Sequence, residues 1–160
     1  MDITTERLIL HPLTPAEARR IVDGAPGPDA HWHEQYPLED ELVPLRSLAG
    51  AQSVDPVFTL YMIRTAEDGL AVGGIGFFGP PGEDGAVELG YGLVAAARGR
   101  GVATEALRAA VVLARANGAT EVKADTALDN LASQRVLDKA GFRETHRDDE
   151  LIYYRHQPSD

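Results

Sequence analysis

A short apolar run sits between polar neighbours from Arg7 to Leu13 (Arg-Leu-Ile-Leu-His-Pro-Leu), which predicts an opening strand. Thr14 or Pro15 then starts a helix with Ala16, Ile21 and Val22 near its apolar face, and Gly24 to Pro28 ends it. The segment from Asp29 to Glu41 is polar, aromatic and acidic, and a short helix is expected around Glu39 to Ala49. Pro56 to Thr65 and Leu70 to Phe78 read as two strands joined by Glu67-Asp68-Gly69, a hairpin signal. The loop Gly79 to Gly85 leads into another strand, Ala86 to Val94, so the middle of the chain is an antiparallel meander.

The period then changes. Ala103, Leu107, Ala110, Val111 and Ala114 recur at helical spacing, and Asn117-Gly118 supplies the C-terminal cap. Glu121 to Thr126 is a strand and Asp129 to Ala140 a second helix, ended by Gly141. Two closing strands, near Phe142 to His146 and Leu151 to His156, complete an α/β (α+β) sheet of mixed direction. No repeat or linker divides the 160 residues, so one domain is expected.

Composition narrows the chemistry. There is no cysteine, which excludes disulfides, thiolate metal sites and a cysteine nucleophile. The N-terminus lacks a basic region followed by an apolar stretch, and no run is long enough to cross a bilayer, so the cytoplasm is the default location. A formal net charge of −10 disfavours nucleic acid and anionic lipid, and suits a cationic small molecule or basic peptide. Against that background Arg98, Arg100 and Arg108 form a local cationic cluster.

The run Arg98-Gly99-Arg100-Gly101-Val102-Ala103 stands between a strand and a strong helix. A helix begins with unpaired N–H groups and a positive dipole end, so a phosphate can be held there by backbone alone. Glycines at 99 and 101 let the backbone come close, and the flanking arginines add charge-assisted bonds. A P-loop would need Lys then Ser/Thr after its last glycine, and a dinucleotide fingerprint would need a third glycine. A plain Arg/Gly surface turn is the other reading of the run.

The same residues resemble the Arg/Gln-x-x-Gly-x-Gly/Ala loop of the GNAT acetyltransferases. Asn130-Leu131-Ala132-Ser133, continuing to Val136-Leu137-Asp138-Lys139-Ala140-Gly141-Phe142, resembles that family's last helix. Thr5-Glu6-Arg7-Leu8-Ile9-Leu10 looks like the opening of its RimJ/RimL-like branch. The resemblance implies a mixed, mostly antiparallel sheet of six to seven strands flanked by about four helices. It also implies acetyl-CoA as co-substrate and transfer to a primary amine, either a peptide N-terminus or a small amine.

Carried onto this chain, the resemblance places the coenzyme pyrophosphate on the amides of Arg98, Gly99, Arg100, Gly101, Val102 and Ala103, with Thr104 adding a hydroxyl. It places the pantetheine arm beside Leu93 and Val94 and near Asn130, and brings Ser133 towards the thioester sulfur. Asn130 also reads as a helix N-cap, and Arg135 and Lys139 either as partners of the coenzyme phosphates or as solvated helix residues. Strand alternation puts Glu88, Gly90 and Gly92 on one face, which fits either a groove for a ligand arm or a bulge.

With no cysteine to carry the acyl group, direct attack in a ternary complex is favoured. The resemblance makes Glu88 the candidate base, directly or through water, with an ordinary polar strand residue as the other reading, and Ser133 the candidate acid with Tyr91 as fallback. Many relatives use a tyrosine at the position of Leu137, and leucine cannot donate a proton. A strand N–H near Gly92 or Leu93 is expected to polarise the thioester carbonyl. Trp32, His33, Tyr36 and Glu88 are the candidate acceptor-binding residues, with the carboxylates of Glu34, Glu39, Asp40 and Glu41 nearby. No metal site is expected, because His31 and His33 have no third ligand. A homodimer is left open. The rival function is a coenzyme A-binding module without turnover.

Overall fold

The computed structural model describes residues 1–28 and 30–157. Asp29, with which the predicted acceptor segment begins, lies outside the described residues. The chain runs through β1 (Ile3–Thr4), β2 (Leu8–Pro12), α1 (Pro15–Val22), α2 (Leu42–Ala49), β3 (Leu60–Thr65), β4 (Ala71–Phe77) and β5 (Ala86–Leu93). It continues through α3 (Val102–Ala116), β6 (Glu121–Ala127), α4 (Leu131–Lys139), β7 (Phe142–Arg147) and β8 (Leu151–His156). The sheet order is β1-β2-β3-β4-β5-β6-β8-β7.

The sheet therefore has eight strands where six to seven are expected, the addition being the two-residue β1, which pairs Ile3 with Leu10. Two-residue strands carry no alternation to read. Every neighbouring pair is antiparallel except β5 and β6, which α3 connects. Boundaries move where side chains capture the backbone. The strand expected from Pro56 starts at Leu60, because Asp55 Oδ1 accepts from the amides of Val57 and Phe58, both at 2.8 Å. The helix expected from Asp129 starts at Leu131, with Asn130 as its N-cap. Glu39–Glu41 is a 3-10 turn ahead of α2, which sets Glu39 and Asp40 outward.

α1 starts on a capping box: Thr14 Oγ1 accepts from the Glu17 amide (3.1 Å) and Glu17 Oε1 from the Thr14 amide (3.0 Å). Leu8, Leu10, Ile63, Leu89, Leu107, Leu137, Phe142 and Ile152 are fully buried, so strands and helices share one core. Leu137 belongs wholly to it. This explains why that position carries no polar group, since a buried hydroxyl there would need its own partner.

Candidate active site

The site is created by the way β5 leaves β6. The two strands pair only at Ala86↔Glu121, Val87↔Val122 and Glu88↔Lys123. On its other side β5 keeps an unbroken register with β4 from Leu89↔Phe77 to Leu93↔Gly73, so the glycines of β5 mark no bulge. The Val94 amide donates to the Val72 carbonyl (2.8 Å), and the Phe78 amide to the Glu88 carbonyl (3.0 Å). Antiparallel pairs alternate, so positions 88 to 94 of even number turn N–H and C=O towards β4. Tyr91 and Leu93 turn theirs the other way, beyond the last β6 partner. They line a notch with backbone groups available to an amide-bearing ligand.

Of the two expected pantetheine contacts, Leu93 therefore presents its backbone to the notch. Val94 does not: it is fully buried and its N–H is already used. The same alternation turns the Gly92 amide into the sheet and the Leu93 amide towards the notch.

Below the notch lies the arginine-glycine loop. Gly99 and Gly101 take positive φ of 78° and 77°, which L-residues with side chains rarely adopt. Gly101 is the N-cap of α3 and has no side chain to satisfy the first amides of that helix. Arg98 Nε donates to the Leu93 carbonyl (3.1 Å), which fixes the guanidinium at the end of β5. Arg98, Gly99, Gly101, Val102, Ala103 and Thr104 all line one cleft of about 640 Å³. Arg100 is exposed and contributes its carbonyl to a clamp, accepting from Arg7 Nη1 at 2.8 Å.

That clamp explains the opening residues of the chain. Arg7 Nε also donates to Glu105 Oε1 (2.8 Å), and the Arg7 amide to Glu105 Oε2 (2.8 Å), while Thr5 donates to the same carboxylate. Burial alone would raise the Glu105 pKa, but these bonds outweigh it and hold Glu105 below the usual range. An ionised Glu105 in the first turn of α3 is thus neutralised by Arg7, and does not repel an anion at the helix start.

The opposite wall is α4. Asn130 Oδ1 accepts from the Ser133 amide (3.0 Å), so the N-cap role is present, and both residues line the cleft. Arg135 and Lys139 are exposed, as the solvated reading has them, and stand at the cleft as well. Tyr91 reaches across to α4: its Oη lies 2.7 Å from Ser133 Oγ and donates to the Ser133 carbonyl at 3.3 Å. Burial raises the Tyr91 pKa, the Ser133 bond lowers it and Tyr154 adds a further rise; the net shift is upward. The phenol therefore keeps its proton at neutral pH.

The predicted acceptor residues separate. Tyr36 is buried and lines the cleft. Trp32 forms an isolated bridge to Ala71, packs edge-on against Tyr36 (centroids 5.6 Å apart) and joins the core margin. The His33 amide donates to the Ala71 carbonyl (3.0 Å), and neither Trp32 nor His33 is in the cleft wall. Glu88 is exposed, opposite Lys123 and beside Asp125, and likewise outside the wall. Its pKa is raised by burial first and by Asp125 second, with Lys123 opposing.

The carboxylate that does enter the cleft is Glu41. Its Oε1 is shielded from solvent and has no hydrogen-bond partner among the described residues. Burial, then the charge of Asp40, push its pKa up to about 7, and the nearby Gly74 amide offsets only part of this. Sequence reading noted Glu41 only as one of several acids. The signal that singles it out is the facing glycines: a methyl group on Gly74 would stand 2.9 Å from Glu41 Oε1. Among the described residues no cluster of His, Asp and Glu could hold a metal ion, and no helix is long and apolar enough to cross a membrane.

A notched mixed sheet with an uncapped, glycine-led helix beneath it offers a place for a phosphate-bearing ligand with an amide-containing arm. Comparison with known proteins makes this specific. Residues 7–143 match the family model described as the acetyltransferase (GNAT) domain. The uncharacterized N-acetyltransferase YjdG of Bacillus subtilis (strain 168) is 32% identical over 98 residues, 61% of this chain and 58% of that protein. The chain thus aligns with little more than half the length of this curated relative. A GnaT-family acetyltransferase from Bordetella pertussis superposes with a TM-score of 0.69 at 25% identity, covering 98% of this chain and 99% of its own. An acetyltransferase from Agrobacterium tumefaciens str. C58 gives 0.69 at 26% identity, covering 99% and 95%. The chain belongs to the GNAT acetyltransferase family, whose domain implies acetyl-CoA as co-substrate. The positive-φ glycines, the uncapped α3 and the unpaired edge of β5 fit such a ligand.

Proposed function

We propose that this protein is an N-acetyltransferase of RimJ/RimL-like type, moving an acetyl group from acetyl-CoA to a primary amine in one step. The observation that carries the reading is the notch. It opens between the phosphate-binding start of α3 and the Tyr91–Ser133 pair, so a thioester would lie where a proton donor waits.

In this reading the amides of α3 and Arg98 hold the pyrophosphate, while the backbone of Tyr91 and Leu93 pairs with the pantetheine arm. The Leu93 N–H would polarise the thioester carbonyl. The amine nitrogen bonds to the carbonyl carbon, the C–S bond breaks, and its electron pair stays on sulfur. Tyr91, bonded to Ser133, supplies the proton that sulfur takes up. Glu88 remains the sequence-derived base only if a water chain joins it to the notch. Its exposed position beside Asp125, outside the cleft wall, favours a carboxylate that lies within the cleft.

The test has two parts. Acetyl-CoA at about 100 times its Kd should stabilise the protein by about 2.7 kcal/mol, seen as a raised Tm. Gly101→Asp, which forces a side chain into φ 77° and adds a negative charge at the helix start, should abolish the shift. Thiol release from acetyl-CoA should then require an added primary amine. Binding without turnover over a broad amine panel would turn the protein into a coenzyme-binding module, and no thermal shift would sink both readings.

A further inference from the structure

One face of the sheet, on the side away from Tyr91 and Ser133, is paved with glycine. Gly74 and Gly76 of β4 lie opposite Gly92 and Gly90 of β5. All four share one side of the pleat, because their positions are even in a continuous register. A methyl group at each would meet a different side chain: Glu41 at Gly74 (2.9 Å), Leu60 at Gly76, Phe78 at Gly90 (3.2 Å) and Leu38 at Gly92 (2.7 Å). The absent side chains let a roof of Leu38, Glu41, Leu60 and Phe78 settle directly onto the strands.

This glycine-floored chamber belongs to the same cleft as the notch, and Tyr36, Leu45 and Tyr61 extend its walls. Leu38, Leu45, Leu60 and Phe78 make it mainly apolar; its polar groups are the Glu41 carboxylate, the exposed Asp40 beside it and the hydroxyls of Tyr36 and Tyr61, the latter donating to the Val57 carbonyl. A buried carboxylate oxygen without a partner is costly unless something brings it a hydrogen bond or a counter-charge. No lysine or arginine of the described residues forms an ion pair with Glu41. Phe78, 65% exposed although aromatic, stands over Gly90 as part of the roof.

We propose that Glu41 receives the acceptor's ammonium group, and that the acceptor is a primary amine carried on an apolar body. This rests on the transferase reading above. The ammonium enters along the glycine floor from the α2 side of β5, while the thioester reaches the notch from the α3 and α4 side. Glu41 takes one proton from the ammonium, freeing the nitrogen lone pair. That pair forms the C–N bond, the C–S bond breaks and sulfur takes the Tyr91 proton; the surplus proton on nitrogen is released to solvent, from which the Tyr91 phenolate is reprotonated. The proton on Glu41 returns to solvent when the amide leaves. Further along the glycine floor the walls are Leu38, Leu60 and Phe78, which disfavour the second ammonium of a polyamine unless it turns back to the exposed Asp40.

The experiment compares hexylamine and 2-phenylethylamine with spermidine and glycinamide as acceptors, followed by thiol release from acetyl-CoA. The apolar amines should exceed the polar pair in kcat/KM by about ten-fold or more. Glu41→Gln should lower the hexylamine rate by about 100-fold while acetyl-CoA still raises Tm as in the parent. Glu41→Asp, which retains a carboxylate, should recover part of the loss. Preference for spermidine or glycinamide, or undiminished turnover by Glu41→Gln, overturns the role of this chamber and leaves the transferase reading intact. Absence of turnover with every amine overturns both.

Discussion

The hydroxyls of Tyr91 and Ser133 meet at 2.7 Å across the notch, one from a strand and the other from the first turn of α4. Each orients the other, and burial keeps the phenol protonated. Tyr91→Phe removes the donor but leaves the ring in place. Turnover should fall by about 100-fold with the acetyl-CoA thermal shift preserved. Ser133→Ala should cost less, because the Ser133 carbonyl still accepts from Tyr91. Steady-state thiol release separates the two, and a Tyr91→Phe variant at the parent rate would remove Tyr91 from the proton path.

Arg7 ties three parts of the molecule: its own strand edge, the Arg100 carbonyl and Glu105 of α3. Half-exposed ion pairs contribute little to folding, about 1 kcal/mol or less. The larger effect of Arg7→Ala should fall on the ligand, since the phosphate loop loses its brace and Glu105 its neutralising partner. A roughly ten-fold weaker Kd for acetyl-CoA is expected, about 1.4 kcal/mol. Titration calorimetry would check it; unchanged affinity would confine Arg7 to a structural role.

Much of this was open to inspection in the sequence, for reasons that differ by residue. The conformation of the arginine-glycine loop was legible because glycines report backbone demands directly. The pairing of Tyr91 with Ser133 was not, because it depends on where β5 parts from β6. Alternation placed Glu88 on the same side as Gly90 and Gly92. It gives no position along the strand, and Glu88 sits where β6 still pairs. Glu41 was hidden among Glu39 and Asp40 until the 3-10 turn sorted one inward and two outward. A tryptophan beside acids fits recognition or core packing alike in sequence, and the bridge to Ala71 with the packing on Tyr36 shows the second.

Leu137 occupies the position at which the resemblance leads one to look for a tyrosine, and it is fully buried. Leu137→Tyr should therefore not add a proton donor. It would enlarge a packed core and bury a hydroxyl, costing about 1–3 kcal/mol. A lowered Tm with no gain in thiol release is the expected outcome. A rise in turnover at parent stability would show that α4 can turn this position into the cleft.

Glu41 also makes a prediction about folding that does not depend on any substrate. Its pKa is about 7 in the folded protein against 4.5 as the ordinary value, with burial the larger cause and Asp40 the second. Below pH 4.5 both folded and unfolded chains hold the proton, and the group is neutral in the balance. Between 4.5 and about 7 the folded state holds a proton that the unfolded chain has released, so stability declines as pH rises. Above about 7 the cost of the buried charge is complete, on the order of 3 kcal/mol. Glu41→Gln keeps the shape and removes the charge. Its Tm should exceed the parent's clearly at pH 8 and only slightly at pH 5, measured by thermal denaturation without ligand. An equal difference at both pH values would mean that Glu41 is solvated when ionised, and a solvated carboxylate would not be waiting for an ammonium group.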